Sequence, residues 1–372
     1  MLIVADKNIP YLKDTFEPFA KVVYLPANEI NRESVFYADA LLVRSVTKCD
    51  AQLLSGTSVK FIGSATTGDD HIDRQWCEDH NIVWYAAAGC NAGAVVQYTL
   101  SALFAFLYKR GYEHNKVTVG IVGAGRIGGQ VERILQALSI NTLVSDPPLF
   151  HQGRRSYGCS LEDLFTSTQV VTFHVPLTKT GAYPTWHMID KDFHPDNFSV
   201  TGLINTSRGG VIATRWLEEL TEAGNFYSML DVFEDEENPP KNLIRNSWIA
   251  TPHIAGYSVE GKIRATRMVG QALAKWAGWP EPVFTGMPEP EPLELSFHCS
   301  GDLVPDLYSI MKMVYDPHKD SVELKKNPSG LRDLRNHYLL RRENSAFVIN
   351  CEGRPTNELI SGLKQMGFEI KK

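Results

Sequence analysis

The chain has 372 residues, 43% hydrophobic and 22% charged, an ordinary globular composition with length for two or three domains that each bury a core. A net charge of −6 supplies no basic footprint for nucleic acid or an anionic membrane. Six scattered cysteines (Cys49, Cys77, Cys90, Cys159, Cys299, Cys351) include no C-x-x-C pair, which argues for a reduced compartment and against a disulfide framework or a metal site.

Met1 runs directly into an apolar strand pattern at 2–5, so no leader peptide is expected and the protein is expected in the cytoplasm. Residues 1–93 alternate short apolar strands (2–5, 22–24, 40–43, 61–63, 82–84) with helical segments, the pattern of a doubly wound α/β domain. Two strand ends carry polar clusters, Arg44-Ser45-Val46-Thr47-Lys48 and the run Ser64 to His71 that includes Thr66. Ligands of open parallel sheets sit at such ends, and hydroxyls with a guanidinium suit a small carboxylate or phosphate. The apolar tract 92–108 is broken by Gln97, Thr99 and Ser101 and falls short of the ~20 residues that a bilayer needs, so it reads as a buried helix.

A glycine turn follows. Residues 117–122 form an apolar β-branched run, and Gly123, Gly125 and Gly128 then fall in the spacing G-x-G-x-x-G ahead of a helical periodicity through Leu138. The first glycine permits the tight turn, the second lets backbone approach a pyrophosphate, and the third lets helix and strand pack closely; free N–H groups at the helix start face the phosphates. A second strand, 142–145, ends in Asp146, which is placed to accept hydrogen bonds from adenosine ribose hydroxyls. Pro147 and Pro148 follow it, with no arginine for a 2′-phosphate, so the expected cofactor is NAD, not NADP.

Further strand patterns begin at 170, 202, 229 and 248, and three of them deliver Arg208, Glu236 and His253 at their carboxyl ends. An alcohol oxidation needs a base with a pKa near neutrality, which imidazole has. A carboxylate partner fixes its tautomer and steadies the imidazolium. Glu236 is the candidate partner, with Glu237 still open. Arg208 can grip a substrate carboxylate through two parallel N–H bonds and so present the adjacent hydroxyl-bearing carbon. The chemistry implied is oxidation of a 2-hydroxy acid. Past the proline-rich stretch 284–292, which reads as an extended linker, strand and helix patterns mix; 331–342 reads as a basic amphipathic helix, its charges a solvated face or an oligomer contact.

V-G-I-V-G-A-G-R-I-G (119–128), N-T-S-R-G-G (205–210), D-V-F-E-D-E (231–236) and T-P-H-I-A-G (251–256) together resemble the D-isomer-specific 2-hydroxyacid dehydrogenase family. V-R-S-V-T-K (43–48), G-C-N-A (89–92), S-D-P-P (145–148), H-I-A-G-Y-S-V-E-G-K (253–262), M-V-Y-D (313–316) and L-R-N-H-Y-L-L-R-R-E (334–343) bring it nearest the branch acting on 4-phospho-D-erythronate in pyridoxal phosphate biosynthesis.

The resemblance implies two doubly wound parallel-sheet domains, flavodoxin-like and Rossmann, plus a small C-terminal α+β domain. The expected boundaries are 1–93 with 257–285 for substrate, 94–256 for NAD and 286–372 for homodimerisation. It implies catalytic roles for Arg208, Glu236 and His253, and places Arg126, Ile127, Asp146, Val175, Thr206, Ser207, Asp231 and Gly256 around NAD beside the turn glycines. Ser45, Thr66 and Tyr257 would contact substrate, with Arg44 added here for an anionic group. Val175 stands where relatives tend to have threonine, and Gly210 replaces a usual alanine, a change expected to be mild. Competing readings are a dehydrogenase for 3-phosphoglycerate or another D-2-hydroxy acid, and an NAD-sensing corepressor-like interaction protein; an intact base, acid and guanidinium speak against the last.

Overall fold

A computed structural model describes residues 1–156, 158–193, 195, 197–287 and 291–371; residues 288–290 of the expected linker lie outside it. The chain forms two compact units, Met1–Ala92 with Ser258–Pro290, and Gly93–Tyr257 with Glu291–Lys372.

In the first unit, β1 (Leu2–Asp6), β2 (Lys21–Leu25), β3 (Ala40–Val43), β4 (Phe61–Ser64) and β5 (Val83–Ala86) form a parallel sheet in the order β2-β1-β3-β4-β5. Both faces are covered, which is why the strands read as continuous apolar runs instead of alternating ones. Ile3, Leu42 and Phe61 join one core with Ala265, Val269 and Leu273, whereas Val4, Leu41, Val43 and Ile62 join another with Val35, Leu54 and Cys77. The first of these cores therefore depends on the helix Val259–Ala277, which returns to this unit from far along the chain. Ser258 Oγ caps its start by accepting from Gly261 N at 2.9 Å, and Gly278 ends it at φ 70°, a left-handed position that suits glycine.

The second unit opens on the helix Ala92–Arg110, buried without a break from Ala94 to Leu107. Beside it lie β6 (Thr118–Val122), β7 (Asn141–Ser145), β8 (Val170–Phe173), β9 (Gly202–Asn205), β10 (Tyr227–Leu230) and β11 (Ile249–Ala250), all parallel in the order β11-β10-β9-β8-β6-β7. Chain direction across the sheet reverses at β6, so the crevice for a ligand opens at the carboxyl ends of β6 and β8. The tail adds a parallel sheet, β12 (Leu293–Cys299), β13 (Phe347–Gly353) and β14 (Glu369–Lys371), in the order β12-β13-β14. Its apolar face joins the same core as the helix Ala92–Arg110 and the helix Gly128–Ala137. The contact is close: a Cβ on Gly362 would stand 2.1 Å from Leu138 Cδ2. Among the described residues no helix is long and apolar enough to cross a membrane.

The expected amphipathic helix over 331–342 stops early. It is helical only from Leu331 to Asn336, and two of its basic residues turn inward instead of toward solvent. Arg341 is enclosed, its guanidinium donating to the carbonyls of Ala94, Ile254, Ala255 and Tyr257 and to Gln97 Oε1 while its plane lies 4.2 Å from the Tyr315 ring centroid. A cluster of converging backbone carbonyl oxygens outcompetes water for this cation.

Candidate active site

The glycine turn has the shape a dinucleotide needs. Gly123 sits at φ 84°, and a Cβ on it would stand 2.8 Å from the His174 carbonyl oxygen. A Cβ on Gly128 would lie 1.9 Å from Gly123 O, so only glycine lets the helix pack this near the turn. Around Gly125 the space is open, with nothing within 4 Å of a built Cβ. Ile127 occupies the helix N-cap and Arg126 is exposed beside it. Two buried polar atoms at the adjacent strand ends, His174 Nδ1 after β8 and Thr206 Oγ1 after β9, have no partner among the described residues. Burial drives the His174 imidazole down to about 3, so its ring is neutral. An open cradle and orphaned polar atoms are what residues awaiting a polar ligand present, and the group fits.

Asp146 accepts from Ala124 N at 2.8 Å and Leu149 N at 3.0 Å, tying the glycine turn to the next helix and leaving one lone pair on each oxygen for a ribose. Ser207 Oγ donates to Asn205 Oδ1 at 2.8 Å, and Val175 presents only a methyl toward Gly123.

The loops after β10 and β11 bring His253 and Glu236 together. His253 Nδ1 lies 2.7 Å from Glu236 Oε1, and its φ of 57° is a left-handed conformation that costs a non-glycine residue energy. Asp231, buried at the end of β10, holds that conformation in place: it accepts from Thr251 Oγ1 at 2.7 Å, Ile254 N at 2.8 Å and Ala255 N at 2.8 Å. Tyr98 extends the chain, its hydroxyl 2.7 Å from Thr251 Oγ1. Burial pushes the Asp231 carboxyl up to about 6, against the pull of His253 and these donors.

Of the four consecutive acids, Glu236 alone reaches the imidazole. Glu234 is taken by His187 Nε2 at 2.7 Å and by Thr214; Glu237 pairs with Arg332 at 3.2 Å. Asp235 Oδ1 accepts from Glu237 N and Asn238 N, turning the chain so that positions 236 and 237 diverge. Burial raises the Glu236 carboxyl, but the hydrogen bond and charge of His253 and the charge of Arg335 outweigh it and hold it below the usual value.

Arg208 follows β9, and its Nη1 donates to Ser207 O at 2.8 Å. The next residue, Gly209, lies directly on the backbone of Phe233 and Glu234, which seats the Arg208 loop against the Glu236 loop. In the first unit, Arg44 Nε donates to the fully buried Asp6 Oδ2 at 2.8 Å, so a carboxylate at the end of β1 fixes it. Ser45 is exposed; Thr66 Oγ1 lies 2.8 Å from Ser64 Oγ, which also meets His71 Nε2 at 2.9 Å. Tyr257 closes the His253 loop, its hydroxyl accepting from Arg335 at 3.2 Å. Sequence reasoning missed Arg335, Arg341, Tyr98 and Thr251, which all act through contacts distant along the chain.

Residues 104–255 match the D-isomer specific 2-hydroxyacid dehydrogenase NAD binding domain, and 287–367 match a domain of unknown function. Erythronate-4-phosphate dehydrogenase of Bacteroides fragilis is 38% identical over 94% of this chain and 99% of its own. That of Yersinia enterocolitica is 38% identical over 100% of both. The chain belongs to the erythronate-4-phosphate dehydrogenase family. It is an NAD-dependent dehydrogenase. Among solved structures, D-lactate dehydrogenase from Aquifex aeolicus, complexed with NAD and lactic acid, has TM-score 0.55 and 25% identity over 75% of this chain and 96% of its own. NAD⁺-bound 3-phosphoglycerate dehydrogenase of Entamoeba histolytica shares the fold at TM-score 0.60, with 24% identity over 75% and 95%. The Gly210 departure expected to be mild has a local reason: an added Cβ would meet the Trp186 ring at 2.5 Å, so in this chain the indole fills the space of the methyl.

Proposed function

We propose that the chain oxidises 4-phospho-D-erythronate at its 2-hydroxyl to 2-oxo-3-hydroxy-4-phosphobutanoate. The observation that carries this reading is the 2.7 Å contact between His253 Nδ1 and Glu236 within a loop that Asp231 holds. Glu236, kept ionised, accepts a hydrogen bond from Nδ1–H and leaves the Nε2 lone pair to take the substrate's hydroxyl proton. The positive charge that forms on the ring is met by the same carboxylate. Arg208 grips the substrate carboxylate and orients the reacting carbon. NAD, when bound, supplies the hydride acceptor. Gly123, Gly125, Arg126, Ile127, Gly128 and Asp146 would hold its adenosine and pyrophosphate, and Thr206, Ser207, Asp231, Gly256 and Val175 would complete the NAD site. Arg44, Ser45, Thr66 and Tyr257 are assigned to the substrate's anionic groups.

In the same reading, 1–93 with 257–285 is the substrate domain, 94–256 the NAD domain and 286–372 the dimerisation domain of a cytoplasmic homodimer. A panel assay of NADH formation tests the substrate: 4-phospho-D-erythronate is expected to have a higher kcat/KM than 3-phosphoglycerate and unphosphorylated D-2-hydroxy acids, and a preference for either of the others rejects it. Arg208→Lys is expected to lower kcat/KM about 10–100-fold, because a point charge loses one of two charged hydrogen bonds worth ~1.5–3 kcal/mol each. An unchanged kcat/KM removes Arg208 from the substrate carboxylate.

A further inference from the structure

The tail does more than pack against the sheet. Arg335, on the helix Leu331–Asn336, donates from Nη1 to Glu236 Oε2 at 3.0 Å and from Nε to the Tyr257 hydroxyl at 3.2 Å. Glu236 thus has one oxygen on His253 and the other on Arg335. Six residues on, Arg341 donates to the carbonyls of Ile254, Ala255 and Tyr257, the backbone that carries His253. One short tail segment therefore grips the acid, the loop and the tyrosine together.

We infer that Arg335 is a positioning residue for the Glu236–His253 pair, so that the C-terminal domain completes the active site of its own chain. The inference rests on the reading of His253 as the base. A carboxylate on a flexible side chain can rotate away from an imidazole; a guanidinium on its second oxygen removes that freedom. The same cation shares the carboxylate's charge, so less of it falls on the imidazolium. Among the described residues, the charged and titratable groups facing the pair include Asp231 from the end of β10, Tyr257 from the His253 loop and Arg335 from the tail; Arg341 stands behind the loop, and Arg332 is engaged by Glu237.

The test is the pH profile of kcat/KM for full-length Arg335→Met, Arg335→Gln and Arg335→Lys beside the parent and His253→Asn, with NAD affinity measured for each. The two neutral variants are expected to lower kcat about tenfold or more, with NAD affinity held within about twofold, and to move the acid limb up by about 0.5–1 pH unit as the imidazolium loses a neighbouring cation. Arg335→Lys, which keeps the charge, should return the limb to the parent position. A parent-like limb in both neutral variants, or equal losses in all three with no shift, reduces Arg335 to a packing residue and overturns the inference while His253→Asn stays inactive. Parent turnover in His253→Asn would instead remove the base and the inference with it.

Discussion

His253→Asn is expected to lower kcat by about 10²–10⁴-fold while leaving NAD affinity at the parent level. The substitution is a clean one at this site. His253 sits at φ 57°, and asparagine is the residue after glycine that tolerates left-handed backbone best, so the loop keeps its course. Asp231 holds the loop through Ile254 N and Ala255 N, contacts that do not involve the imidazole. An asparagine amide can still donate to Glu236, but it has no lone pair that takes a proton near neutral pH. Steady-state turnover with a parallel NAD titration separates the two effects. Turnover within about threefold of the parent would assign the proton to another group and dismantle the reading of Glu236 as its partner.

How far the residues alone disclose such a site depends on the reach of each contact. The β-branched runs and the glycine turn are legible because strand, turn and helix start lie within about twenty residues, and Gly128 meets its obstacle, Gly123 O, inside that stretch. Arg208, Glu236 and His253 are legible as candidates because parallel strands deliver their ends to one edge. The choice between Glu236 and Glu237 is not, since it turns on a side chain, Asp235, capping its own following N–H groups. Arg335 and Arg341 are further out of reach. Their charge pattern fits a solvated helix, and only the fold reveals that buried carbonyls and a carboxylate nearly a hundred residues away compete for them. The Tyr98–Thr251–Asp231 chain is hidden in the same way, because its first two members are 153 residues apart.

Gly209→Ala is expected to lower kcat/KM by about 10²-fold or more and to cost roughly 1–3 kcal/mol of stability. Its backbone is not left-handed, so any conformation it adopts is open to alanine; the obstacle is space alone. A Cβ would stand 2.0 Å from the Phe233 carbonyl carbon, 2.1 Å from its oxygen and 2.3 Å from Glu234 N. These are backbone atoms of the loop that leads to Glu236, and they cannot rotate aside as a side chain can. One loop must retreat by more than an ångström, and either retreat shifts the loop that carries Arg208 against the loop that leads to Glu236. Gly210→Ala is the matched comparison. Its Cβ would press on the Trp186 ring, a partly exposed side chain that can shift where backbone cannot, so a smaller loss is expected there. Thermal unfolding and kcat/KM measured on both variants decide the matter: equal, small effects would mean that the loop carrying Arg208 and the loop leading to Glu236 are not seated on each other.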